Sequence, residues 1–225
     1  IIAMGVGLAL LGRHQNRADW ILLGMGAALL HVWNHGLFKA LLFCGAGALE
    51  RATGSSSLNH LGGLAKTLPR LTLLFVVGAL GISALPPLNG FVSEWLLYLG
   101  FCHTLTGGAA SLPVVGMVAV ILALSGALAL ATFVKVLSAG FLGQARRPEL
   151  LHLTEGSWSL AYLPMGLLAL GCLALGIYPQ LVTPALEAAV ANWAGPSHKD
   201  LMPLASLAPV VWLTLVGGGL LLLVI

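Results

Sequence analysis

The sequence predicts an all-α protein, a polytopic bundle of transmembrane helices in which one helix is broken by prolines. Three observations carry that expectation. Hydrophobic residues fill 59% of the 225 positions and charged residues 8%, at a mean hydropathy of +1.00, whereas soluble domains average about 25% charged. The ten Lys and Arg and the seven Asp and Glu fall mostly in short polar stretches between long apolar runs. One of those runs is interrupted at residues 85–90 by LPPLNG, which cannot continue a helix because proline lacks a backbone donor and disfavours a helical residue before it. A soluble enzyme, a nucleic-acid binder and a disordered tail are excluded, since the pI near 9.0 rests on a net charge of only +3.

The elements follow in order. Residues 1–12, IIAMGVGLALLG, are shorter than the roughly 20 residues of a crossing and are expected to be the end of a helix whose start lies outside this sequence. The C-terminal LVGGGLLLLVI also lacks a polar flank, so a piece of a longer chain is expected. After Arg13–Arg17, apolar sequence runs from about residue 19 to 49 and closes at Glu50-Arg51. The polar loop 50–69 follows, and its GGLAKT tail lacks the Gly-Lys-[Ser/Thr] order of a phosphate loop. Further spans are expected at 70–106, containing the break, at 113–143 and at 158–178. A connector with Pro179, Pro184 and Pro196 leads to a last span at 204–225. Trp20, Trp158 and Trp212 lie near span ends and read as interfacial anchors. Cys44, Cys102 and Cys172 are scattered in apolar sequence, with no Cys-x-x-Cys pair, and read as packing residues. The 29 glycines, nearly twice the usual share, let helices approach closely.

The break at 85–90 is either a loop between two spans or a gap in one discontinuous helix. Lys and Arg concentrate on the cytoplasmic side of a membrane. With one crossing, Arg51, Lys66, Arg70, Arg146 and Arg147 share a side against Arg13, Arg17 and Lys199, whereas two crossings erase the bias. The count favours a single broken helix, whose open backbone must be satisfied by protein or a wet cavity.

The informative ionisable residues lie inside the spans. His31, His35 and Lys39 are spaced by four and share one helix face over about 12 Å of axis. A lysine in mid-membrane costs about 2.5–3.5 kcal/mol on insertion scales, so the stripe points to a hydrated proton or ion path. Glu94 is the only carboxylate between Glu50 and Glu149. It follows the break at Leu85, Pro86, Pro87, Asn89 and Gly90, and a place in the first turn of the new helix segment would expose it to unpaired amides. Lys135, about eight residues before its span ends, either joins the path or snorkels to the interface. His103, close to a span end, reads as a non-path residue. No nucleophile–base pair or metal-ligand cluster has useful spacing. No active site, cofactor site or metal site is therefore expected in this chain.

HVWNHGLFKALLFCGAG and GGLAKTLPRLTLLFVVGALGISALPPLNGFVSEWLLY resemble the second half of the antiporter-like membrane subunits shared by respiratory NADH–quinone oxidoreductase, Mrp-type cation/proton antiporters and energy-converting hydrogenases. The resemblance covers residues 1–178, the C-terminal part of that proton-translocating domain, with 179–225 as connector plus an additional helix. PPLNGFVSEWLLY is most similar to the branch of hydrogenase-4 component B and formate hydrogenlyase subunit 3. The resemblance implies that His31, His35 and Lys39 line a central hydrophilic axis and that Glu94 connects it to the outer side. It implies a multi-pass subunit of the inner, cytoplasmic membrane. Its partners would be other membrane subunits and peripheral redox subunits carrying iron–sulfur clusters and nickel–iron or flavin sites. It also implies an acid–lysine pair in an earlier repeat that is not in this sequence, so these 225 residues alone are expected not to translocate protons. A sodium/proton antiporter subunit and a non-pumping scaffold are the rival expectations.

Overall fold

A computed structural model describes residues 1–107, 112–153, 159–195 and 202–209, and positions 212, 215, 216 and 219. Among these, every regular element is helical. The helices are α1 (Ile2–His14), α2 (Ala18–Thr53), the single turn α3 (Leu64–Thr67), α4 (Pro69–Ile82), α5 (Asn89–Thr106), α6 (Leu112–Val136), α7 (Ser159–Ile177), α8 (Thr183–Ala194) and the single turn α9 (Leu204–Leu207).

The long central helix α2 organises the bundle. Its 36 residues extend about 54 Å at 1.5 Å per residue, more than the roughly 30 Å hydrocarbon layer. Gly54, with φ +66, ends it in the left-handed cap that glycine tolerates best, and the Gly54 amide donates to the Glu50 carbonyl at 2.8 Å. Proline starts α4 and lies in the first turn of α8, where its missing N–H costs nothing. The connector at 179–203 therefore holds a helix, α8, that its prolines concealed. Glu187 of α8 accepts the Leu204 amide at 2.6 Å and ties α9 back to the bundle. The expected span at 204–225 lies largely outside the described residues.

The break forms one crossing. Phe75 of α4 lies against Gly45 of α2, Gly78 against Leu42 and Gly81 against Phe38; on α5, Gly100 meets Leu23 and Gly107 meets Trp20. Both segments thus descend α2 in the same antiparallel sense, with the break between them. The loops agree. Arg147 donates to the carbonyls of Thr53 at 2.7 Å and His60 at 3.2 Å, and Arg146 to that of Leu58. The basic loop and the 50–69 loop therefore share a face, which two crossings would forbid.

Apolar packing divides around the break. One cluster joins Trp20 through Leu30 of α2 to Val92, Leu96 and Leu97 of α5, and the other joins Leu41 and Leu42 to Leu71 and Phe75 of α4 and Phe141. The polar residues of α2 fall between them. Trp20 departs from the expectation of a lipid-facing anchor: it is 2% exposed, packed on Gly12 and Gly107 with the Arg17 guanidinium 4.7 Å from its ring. Trp158 lies outside the described residues, and Trp212 is exposed. Of the cysteines only Cys172 is buried; Cys44 and Cys102 lie on exposed helix surfaces.

Candidate proton-path site

α2 supplies the stripe as its spacing predicts, but the environment changes along it. His31 is buried, and His35 and Lys39 are half-buried. The rings of His31 and His35 are 5.8 Å apart, and Phe38 stands edge-on to both. The Lys39 ammonium turns toward Phe43, 5.8 Å from its ring centroid.

α5 supplies the facing wall. It begins at Asn89, one residue before Gly90, so Glu94 lies in the second turn and not the first. The expected stabilisation by exposed amides is therefore corrected, because that field fades within one turn. The half-buried Glu94 points instead toward α6, where its Oε2 lies 3.7 Å from the position a Cβ on Gly126 would take. His31, His35 and Glu94 together line a cavity of about 360 Å³, with Ser125 and Gly126 of α6 opposite. That is room for several waters. The fold brings Glu94 and the two histidines together from positions 94, 31 and 35 of the sequence. It does not bring in Lys39 or Lys135, which are not among the cavity-lining residues; Lys135 is exposed in the last turn of α6.

The break is sealed by backbone contact and by amides. A Cβ on Gly90 would lie 2.0 Å from the Gly81 carbonyl, and one on Gly176 of α7 would lie 2.1 Å from that of Pro87. Only glycine allows α4, α5 and α7 to meet this closely. Asn34 Nδ2 donates to the Asn89 carbonyl at 2.8 Å, and Asn89 Nδ2 donates to Asn34 Oδ1 at 3.2 Å. His31 Nδ1 lies 2.9 Å from Ser93 Oγ, and the Ser93 hydroxyl donates to the Gly90 carbonyl at 3.0 Å. Asn34, Asn89 and Ser93 are each 0% exposed. Protein side chains thus meet the Asn89 and Gly90 carbonyls at the start of α5, while the Ser83 hydroxyl just before the prolines is buried with no protein partner among the described residues.

Asn34 and Ser93 are the functional residues that sequence reasoning missed. Asn34 is the one amide inside the His31–His35 turn, and Ser93 directly precedes Glu94; those adjacencies were the available signal.

A second cluster joins the same helices near the other end of α5. Asp19 Oδ2 accepts from Arg17 at 2.9 Å and lies 3.1 Å from His103 Nδ1, and hydrogen bonding to Asp19 holds the Arg17 guanidinium above its ordinary range.

Comparison with known families matches residues 18–118, from the start of α2 into α6, to the family described as NADH:quinone oxidoreductase/Mrp antiporter, transmembrane. That stretch belongs to this antiporter-like family. The chain is 36% identical over 191 residues to formate hydrogenlyase subunit 3 of Escherichia coli (strain K12), covering 84% of this chain and 31% of the relative. It is 39% identical over 147 residues to hydrogenase-4 component B of the same organism, covering 65% of this chain and 22% of the relative. Among solved structures it superposes on a chain of the Mrp complex from a Dietzia species with a TM-score of 0.63 and 25% identity, covering 79% of this chain and 39% of that chain. The chain spans less than a third of the length of the two curated relatives. The matched family is a transmembrane one, and the chain folds as a membrane helix bundle with a broken helix.

Proposed function

We propose that this chain is part of a proton-translocating inner-membrane subunit of a hydrogenase-4/formate hydrogenlyase-type or NADH dehydrogenase-like complex. Redox chemistry in partner subunits, on iron–sulfur clusters and nickel–iron or flavin sites, supplies the work. One observation carries the reading: two histidines of α2 and the glutamate of the broken helix share one cavity, with room for several waters, among apolar helices. Histidine and glutamate exchange protons near neutrality when their surroundings tune them. His31 and His35 pass a proton along α2, Lys39 continues the stripe one turn on, and Glu94 exchanges it across the cavity toward the outer side. Lys135 serves this reading as an exposed cation at the end of α6 and carries no step.

Moving one charge against 100 mV takes about 2.3 kcal/mol, so turnover without a working path must dissipate that work. Lys39→Ala or Glu94→Ala in the intact complex is expected to abolish proton movement into vesicles while electron transfer continues. Unchanged proton stoichiometry in both variants overturns the proposal and leaves a scaffold. The likeness to an Mrp complex supports a second reading, sodium/proton antiport, which predicts that vesicle acidification follows the sodium gradient in place of electron donor.

A further inference from the structure

The hydrogen bonds around Ser93 constrain which nitrogen of His31 carries a proton. A serine hydroxyl has one proton to give and two lone pairs to receive with. That proton goes to the Gly90 carbonyl at 3.0 Å, the back-bond a serine makes to the preceding helical turn. Asn34 Nδ2, already donating to the Asn89 carbonyl, aims its second proton at Ser93 Oγ from 3.4 Å. With its proton committed and its neighbour a donor, Ser93 Oγ meets His31 Nδ1 at 2.9 Å as an acceptor. His31 must then carry hydrogen on Nδ1. No other protein hydrogen bond to His31 exists among the described residues, so Nε2 is left with its lone pair. The polar and ionisable groups around the ring are the α-amino group of Ile1, Ser93 and Glu94 on α5, Asn34 and His35 on α2, and Ser125 on α6.

We propose that Ser93 is a positioning residue that holds His31 in the Nδ1–H tautomer, so that His31 takes up and releases protons through Nε2 alone. This rests on the proton-path reading above. In the step, a protonated cavity water breaks one O–H bond and its proton forms an N–H bond with the Nε2 lone pair, leaving a neutral water and an imidazolium whose Nδ1–H stays on Ser93. The same Nε2–H bond then breaks as the proton passes to the next water, toward His35 or Glu94. The ring stores a proton on the cavity side and does not conduct it from one nitrogen to the other. Ser93 sits beside Glu94, and its own proton is anchored at Gly90 in the break. The tautomer is thereby tied to the seating of the broken helix on α2.

The test uses the intact complex in vesicles, with histidine carrying 15N at Nδ1 alone. The signal lost in His31→Gln identifies His31. A protonated, pyrrole-type Nδ1 is expected, and an unprotonated, pyridine-type Nδ1 overturns the proposal. The spectrum needs no Ser93 variant, so it decides the matter even if Ser93→Ala fails to assemble. Loss of one ordinary hydrogen bond shifts such an equilibrium by about tenfold. Ser93→Ala is expected to lower protons moved per electron pair by that order and to move the signal toward the pyridine type, and Ser93→Thr is expected to restore both. Ser93→Ala added to His31→Gln is expected to cost nothing further, because the serine acts through the histidine; additive losses overturn the proposal. Undiminished translocation in His31→Gln removes the proton-path reading itself. Translocation lost in His31→Gln but untouched in Ser93→Ala removes only the role of Ser93.

Discussion

Helices α2 and α5 meet at two polar clusters, each with a histidine, and the two are built on opposite terms. At the break, His31, Asn34, Asn89 and Ser93 interlock through hydrogen bonds between neutral groups, each side chain with 6% or less of its surface exposed. Near the other end of α5, the largely buried Asp19 pairs with the Arg17 guanidinium and lies 3.1 Å from His103 Nδ1, with Arg17 and His103 about a third exposed. Burial explains the difference. Desolvating an ion pair costs several kcal/mol per ion, whereas a neutral amide or hydroxyl needs only its hydrogen-bond partners. The interior cluster therefore fixes geometry, seating the broken helix in one register beside the cavity. The other cluster keeps Arg17 and His103 partly in water, which weakens what its charges contribute to holding the helices together.

The sharpest way to break this comparison is Gly90→Ala. The added methyl would meet the Gly81 carbonyl at 2.0 Å, and both partners are backbone that cannot rotate away. The complex is expected to lose this subunit from the membrane, read by immunoblot of the assembled fraction; normal assembly would show that the break is not held by that contact. Next in size is Asn34→Ala, which removes the side-chain pair with Asn89 but leaves the Asn89 amide its bond to the Asn34 carbonyl, and is expected to cost about 1–3 kcal/mol. Unfolding in detergent checks it, and a cost under about 1 kcal/mol would mean that water replaces the lost amide. The smallest effect belongs to Asp19→Asn. Exposed ion pairs give about 0–1 kcal/mol, so stability is expected to fall by less than that and proton movement to stay unchanged. A Glu94-like loss of translocation in Asp19→Asn would make the Asp19 cluster part of the path and erase the contrast.

The stripe and the break were legible because each is a local pattern. Spacing by four fixes which residues of α2 share a face, and Pro86, Pro87 and Gly90 must end a helix wherever they fall. The lock between them was not legible. Asn34 and Ser93 are common residues whose meaning comes from partners 55 to 62 positions away, and no period connects such positions. Glu94 was placed one turn too early because Asn89, read as part of the break, starts α5. Trp20 was read as an anchor because its distance from a span end says nothing of the glycines that cover it. Helix α8 went unseen because proline marks the first turn of a helix as readily as a connector.

The sequence by itself determined the membrane class, the helical fold, the position of the break and the polar face of α2, since hydropathy and backbone chemistry act within a few residues. The tertiary structure bears out the single crossing that the charge count favours, and it alone decided that His31, His35 and Glu94 face one cavity while Lys39 turns toward Phe43, and that Ser93 occupies His31 Nδ1. Those outcomes depend on which helix faces lie against each other. In a bundle where nearly every face is apolar, that choice is made by a few glycine contacts and buried hydrogen bonds joining distant parts of the chain.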